Sequence, residues 1–151
     1  MTDEDSCGFV ATRGDILYRQ RLTMTNTQIA EADVLSVGPE KLAYRLSLYA
    51  DNATVWDSVM RVGGFNDSNI VSGKTHVTRF LTWLAHLPPV EVKILTSIAE
   101  GDHVAVDWLL RGGNGTFEIP CITFFEIKQG KIANAKMQFD SAFFAGLMQK
   151  K

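Results

Sequence analysis

Hydrophobic positions along this chain recur first at helical spacing and then at the two-residue spacing of strands. Between Gly14 and Val37 the pattern is helical but irregular, with Ile16, Leu17, Ile29, Ala32 and Leu35 expected to be buried in one or two helices. Gly38-Pro39-Glu40 is a start signal, with Pro at the first helical position and an acid in the first turn. The stripe that follows, Leu42, Ala43, Leu46, Tyr49 and Ala50, predicts a helix that Asp51-Asn52 ends. Ala53 to Val59 then alternates as a short strand, with Val55 and Asp57 on one face and Thr54, Trp56 and Ser58 on the other. A polar loop over 63–69 leads to a second helix after Gly73, carrying Val77, Phe80, Leu81 and Leu84 on one side and ended by Pro88-Pro89. The remainder is a meander of strands over 90–99, 103–111, 116–127 and 132–139, with a glycine-rich connection at 112–115. Asp140 can cap a short C-terminal helix over 141–148. Helices followed by a run of antiparallel strands predict an α+β fold.

The 151 residues amount to one domain: a flexible N-terminus over 1–13 and a single domain over 14–151. Fifteen basic against 17 acidic side chains give a net charge of −2, which argues against nucleic acid as a partner. With 46% hydrophobic and 21% charged residues, the composition is that of a globular protein. No stretch reaches the roughly 18 apolar residues of a membrane span, so no membrane partner is expected. The acidic start has no apolar region like that of a secretory signal, and the expected location is cytoplasmic. Cys7 and Cys121 form no metal-binding or redox pair, and Cys121 sits in an apolar run where a buried thiol is expected. No His/Cys/carboxylate set has metal-ligand spacing, and Gly63-Gly64 and Gly112-Gly113 lie in loops without a phosphate-binding lysine. The expectation is a protein with no metal and no cofactor.

Several segments, taken in order, carry a resemblance. They are Leu48-Tyr-Ala-Asp-Asn-Ala-Thr-Val-Trp-Asp57, the helix opened by Gly73-Lys74, Gly101-Asp-His-Val-Ala-Val106, and Glu126-Ile-Lys-Gln-Gly-Lys-Ile132 with Phe139-Asp140. Together, over about residues 38–145, they resemble the SnoaL-like and nuclear transport factor two-like superfamily, which includes ketosteroid isomerase, limonene epoxide hydrolase, scytalone dehydratase and polyketide cyclases. The resemblance implies a cone: a curved mixed β-sheet wrapped around N-terminal helices, enclosing an apolar pocket. On that cone, strand alternation turns Val55, Asp57, Val106, Trp108, Leu110, Ile119, Cys121, Thr123, Met137 and Phe139 towards the pocket. Asp107, Leu109, Ile122 and Phe124 would face outward. An apolar lining with few polar groups is the usual composition of a small-molecule site.

The same cone hosts many reactions, so residues must choose between them. The ketosteroid isomerase branch implies a general base at Asp57, which an apolar cavity would make more basic. Thr123 stands where that branch has a protonated Asp, and no residue matches its oxyanion Tyr. The Asp–Arg–Asp set of the epoxide hydrolase branch falls here on Trp108, Leu110 and Met137, with Arg111 the one nearby arginine. The cyclase acid on the last strand is again Met137. His76, His86 and His103 fall on no pocket face, which leaves the histidine pair of scytalone dehydratase unmatched. Asp57 also has a purely structural reading, as a strand-end cap.

The expected function is therefore a cofactor-independent cyclase or isomerase for an apolar small molecule, such as a polyketide or terpenoid intermediate. Either Asp57 moves a proton, or the pocket of Trp108, Met137 and Phe139 holds a flexible substrate in a reactive shape, including for a pericyclic closure. The alternatives are a dehydratase or epoxide hydrolase with altered catalytic residues, or a non-catalytic binding module. Outward Leu109, Ile122 and Phe124 predict a homodimer through the sheet.

Overall fold

Local signals start each helix. Thr25 and Gln28 form a capping box: the Thr25 hydroxyl accepts from the Gln28 N–H at 3.1 Å, and Gln28 Oε1 accepts from the Thr25 N–H at 2.9 Å. This opens α1, Asn26–Leu35. Gly38, at φ 92°, leads into one 3-10 turn over Pro39–Lys41 and then α2, Leu42–Ser47. The computed structural model describes residues 24–140 together with Ala142, Ala145 and Gly146. Ile16, Leu17, Cys7, the expected flexible segment 1–13 and most of the expected C-terminal helix over 141–148 lie outside the described residues.

After α2 come β1 (Tyr49–Asp57), the short helix α3 (Val59–Val62), β2 (Ile70–Ser72) and α4 (Lys74–Ala85). The chain closes with β3 (Val90–Glu100), β4 (His103–Gly112), β5 (Phe117–Lys128) and β6 (Lys131–Phe139). The six strands form one sheet in the order β2-β1-β6-β5-β4-β3. Every neighbouring pair is antiparallel except β1 with β6, so the sheet is mixed. Register breaks in β1, β3 and the β5–β6 ladder bend it into an open, curved surface. At the β5–β6 turn Gln129 and Gly130 both take positive φ, 53° and 76°, as a two-residue hairpin of matching twist requires.

Inside the curve, α1 lies against β3 and β4, and α4 against β1. Ile29, Ala30 and Val34 of α1 and Val77, Phe80 and Leu81 of α4 join Val104, Val106, Phe125, Ile127 and Ile132 in one core. Phe65 packs edge-on to Phe80, with centroids 5.3 Å apart, and 5.1 Å from Trp83, fastening the loop before β2 to α4.

Four expectations are corrected. The helix after Pro39 ends at Ser47, and Tyr49 and Ala50 begin β1, whose ladder with β6 holds Tyr49 opposite Ile132. The inward side of α2 is Leu42, Arg45 and Leu46, while Ala43 is exposed. On α1, Leu35 is exposed and Asp33 is buried in its place. The stretch 70–72, which the sequence left between a loop and a helix, is a strand at the sheet edge paired with Thr54, Val55 and Trp56.

Alternation makes neighbouring residues respond differently to truncation. Phe125 is 2% exposed inside the cone and Phe124 is 47% exposed outside it. Phe125→Ala is expected to cost about 3–5 kcal/mol. Phe124→Ala should cost less than about 1 kcal/mol, measured by urea unfolding at a concentration where the chain is a monomer.

Candidate functional site

Pairing β1 in parallel with β6 sets their carboxyl ends side by side, and a cross-strand row forms there on the inner face. Asp57 pairs with Met137, Met137 with Thr123, and Thr123 with Val106. The adjoining row runs through Phe139, Cys121 and Trp108, and the next through Ile119 and Leu110. Val55, Asp57, Val106, Trp108, Ile119, Cys121 and Thr123 are buried, and Leu110, Met137 and Phe139 are partly buried against the same core. All ten residues expected to face inward thus share one surface. Asp107, Ile122 and Phe124 are exposed on the other face, and Leu109 is half-buried there. The three histidines lie at exposed positions, and Arg111 forms an exposed ion pair with Glu118 across β4 and β5.

Asp57 is the last residue of β1 and is 4% exposed. Its Oδ1 accepts the Val59 N–H at 2.9 Å, which fixes the carboxyl where the strand turns into α3. Burial pushes its pKa up to about 7; the Val59 hydrogen bond and the Arg45 charge pull the other way, and Asp33 adds to the rise. The cap and the perturbed acid are one side chain. Across Met137, Thr123 Oγ1 accepts a hydrogen bond from Trp108 Nε1 at 3.0 Å, both side chains being buried. In this row Met137 of β6 stands between Asp57 of β1 and Thr123 of β5. The Cys121 thiol is pushed up to about 12, by burial first and then by the Asp57 charge, so it carries no thiolate near neutral pH.

Reading the strands alone missed three polar groups. Arg45 of α2 donates to both carboxylate oxygens of Asp33 on α1, Nε–Oδ1 at 2.8 Å and Nη2–Oδ2 at 3.4 Å. Their side chains are 15% and 3% exposed. Tyr49 is also buried; burial, then the Asp33 charge, holds its phenol well above the ordinary range. Burial works against the Arg45 charge, but Asp33 and the neighbouring acids outweigh it and raise the guanidinium pKa. The interior is therefore less apolar than the strand pattern suggested. The available signal was a charged residue on each helix's buried stripe: Asp33 with Ile29 and Ala30, Arg45 with Leu42 and Leu46.

The family model described as a SnoaL-like domain matches residues 37–135. The chain belongs to this family. Solved structures of the same fold accompany the match. TerC, co-crystallised with polyporic acid, aligns with a TM-score of 0.66 at 17% identity, over 82% of this chain and 98% of that one. A protein of ketosteroid isomerase-like fold from Catenulispora acidiphila, in complex with trimethylamine, aligns at 0.59 and 17% identity, over 76% and 86%. A de novo designed protein with a curved β-sheet aligns at 0.60 and 17% identity, over 87% and 97%. At these identities the likeness is one of fold. No curated protein matches the chain in sequence.

Among the described residues of this SnoaL-like domain, no group of three or more His, Cys, Asp or Glu side chains could hold a metal ion, and no helix is long and apolar enough to cross a membrane.

The raised Asp57 pKa has a consequence for stability. In the unfolded chain the carboxyl ionises near 3.8, and in the folded protein near 7. Between those values the folded protein binds more protons, so stability is full below about pH 4 and is lost as pH rises towards 7, by up to about 4 kcal/mol. Asp57→Asn removes this slope. Urea unfolding should find the variant more stable than the parent near pH 8 and not near pH 4. Parallel pH profiles for the two proteins would mean that burial does not oppose this charge.

Proposed function

We propose that the protein is a cytoplasmic, cofactor-independent isomerase or cyclase acting on an apolar small molecule, such as a polyketide or terpenoid intermediate, with Asp57 as the proton-transferring base. The observation that carries this reading is a carboxyl buried at the carboxyl end of β1 with its pKa near 7. Such a group is partly ionised at neutral pH, so it can take a proton from carbon and return it. Thr123 supports the same reading. Its oxygen accepts from Trp108, which leaves its own O–H to donate to a ligand oxygen that gains charge as the proton departs. Val55, Val106, Leu110, Ile119, Cys121, Met137 and Phe139 supply the apolar walls. TerC's co-crystallisation with polyporic acid gives a small-molecule ligand on a related cone.

A second reading, a hydrolase or dehydratase with a rearranged acid–base set, is favoured by the Asp33–Arg45 pair, which adds a further buried acid and an arginine to the interior that holds Asp57.

The test is hydrogen exchange at carbon. In D2O, with a panel of polyketide and terpenoid carbonyl compounds, the protein should wash deuterium into the position next to a carbonyl, read by proton NMR. Asp57→Asn should slow this by roughly 10²–10⁴. Trp108→Phe, which keeps most of the ring and removes the N–H, should slow it by about tenfold. Ring closure that proceeds without exchange and survives Asp57→Asn would replace proton transfer by shape. Oxygen-18 entering the product from labelled water would select the hydrolase.

We also infer a homodimer through the outer face of the sheet. One cross-strand row carries Ile98, Ala105, Phe124, Lys136, Trp56 and Ile70, with Ile98 68% exposed. Lys136 Nζ lies 5.4 Å from the Trp56 ring centre, so its stem extends the apolar band. A groove of about 200 Å³ between Ile98, His103 and Phe124 gives the band relief. Light scattering should give twice the chain mass at micromolar concentration, and Phe124→Glu should halve it. A parent protein that is monomeric there would refute the inference.

A further inference from the structure

Asp57 ends its strand at a sharp bend, and two of the hydrogen bonds that close the bend are made by a residue outside it. Asn69 ends the loop after α3 and directly precedes β2. The β1–β2 ladder pairs Trp56 with Ile70, and one register step further on the Asp57 N–H donates to the Asn69 carbonyl at 2.8 Å. Residues directly opposite in antiparallel strands share a face, with Cβ atoms about 5 Å apart. Asn69 therefore stands half-buried beside Asp57. Its Oδ1 accepts the Arg61 N–H of α3 at 2.9 Å. The main chain of Asn69 thus holds the strand that ends in Asp57, and its side chain holds the helix whose Val59 N–H binds the Asp57 carboxyl. Asn69 is itself held from both sides. Ser68 Oγ accepts the Ile70 N–H at 3.2 Å, and the Phe65 and Asn66 N–H groups donate to the Met60 carbonyl at 2.9 and 3.2 Å.

The cap that Asn69 supplies is one that helices commonly take from nearer by. α3 has four residues, and its first N–H groups need acceptors. A serine just before a helix commonly accepts the N–H of the second or third helical residue. Ser58 holds that place, yet its φ and ψ of −63° and −13° are helical, it makes no cap, and its buried hydroxyl has no hydrogen-bond partner among the described residues. Asn69 takes the Arg61 N–H in its stead. We propose that Asn69 is a positioning residue for Asp57: its side chain caps α3 in place of Ser58 while its main chain holds the last amide of β1, so that the carboxyl stays in one orientation. The catalytic meaning of this hold rests on the reading of Asp57 as the base, because proton transfer needs the acid at a fixed place beside the substrate. Asn69 carries no charge, so it fixes Asp57 without adding to the field there. Among the described residues that field comes from Arg45 on α2 and Asp33 on α1; Tyr49 on β1 and Cys121 on β5, also coupled to Asp57, are neutral near pH 7.

Asn69→Ala deletes the cap and keeps the carbonyl. Ligand-free protein carrying 13C-labelled aspartate is titrated by NMR, with the Asp57 carboxyl signal assigned by its loss in Asp57→Asn. In Asn69→Ala the freed Arg61 N–H and water gain access to the carboxyl, and both favour its ionised form, so the midpoint should fall by about 1 pH unit. Asn69→Asp restores the acceptor and sets a like charge opposite Asp57, so the midpoint should rise above that of the parent. A cap that served α3 alone would leave the midpoint of Asn69→Ala unmoved, and that result, or a rise, overturns the proposal. If Asn69→Ala does not fold, Asn69→Asp decides, and a midpoint at or below the parent's overturns it. Hydrogen exchange at carbon, with the same panel of carbonyl compounds, separates this hold from the role of Asp57. At a pH above all three midpoints, Asn69→Ala should lower the saturated rate roughly tenfold and leave KM within about twofold, and Asn69→Asp should recover most of the loss. Midpoints that shift while exchange keeps the parent rate would uphold the hold of Asn69 on Asp57 and remove Asp57 as the base.

Discussion

The interior of this cone holds Asp33, Arg45 and Asp57 in a space with little water, and the cost of charge in such a space governs the arrangement around them. A lone buried carboxylate is strongly disfavoured, so each acid here is either paired or free to neutralise. Asp33 is paired with Arg45. Asp57 accepts the Val59 N–H and holds its proton up to about pH 7. The same desolvation that makes Asp57 costly to ionise gives it the basicity useful for moving protons at neutral pH. Stability and reactivity are coupled at one side chain.

The scaffold makes that coupling possible by giving the two acids different elements. Asp57 ends a strand, where its carboxyl is clamped by the first turn of α3. Asp33 and Arg45 come from helices that the curved sheet encloses. The parallel β1–β6 ladder then places Met137 and Thr123 beside Asp57, so the donor on β5 and the acid on β1 share one row. The SnoaL-like family assignment accounts for the cone. The chemistry available inside it comes from these particular side chains.

Much of this was legible in the sequence, for a physical reason. A sheet with one buried face writes a period of two into its strands, so once the resemblance implied the cone, alternation sorted the inward set from Val55 to Phe139. Asp57 stood out because its segment resembles the one that carries the base in ketosteroid isomerase. Less was legible where the signal is not periodic. The stretch from Leu42 to Ala50 reads as one helical stripe, yet the ladder with β6 draws Tyr49 and Ala50 into β1, because tertiary pairing overrides a marginal helix. Three residues, Ile70–Ser72, are too few to show alternation. Asp33 and Arg45 were passed over because charge is ordinarily a sign of solvent. Only the three-dimensional pairing shows that the two charges meet inside.

The β1–β6 ladder also orders events during synthesis. In the sequence, 80 positions separate Asp57 from its partner Met137. At about 5–20 residues per second, β1 waits roughly 4–16 s after leaving the ribosome tunnel before β6 can follow it. Through that interval β1 has β2 and α4 as companions but no strand on its other side, and the Asp57 carboxyl has not been sealed from water. The nascent chain therefore carries an ordinary, ionised aspartate, and proton uptake comes only with the last strand.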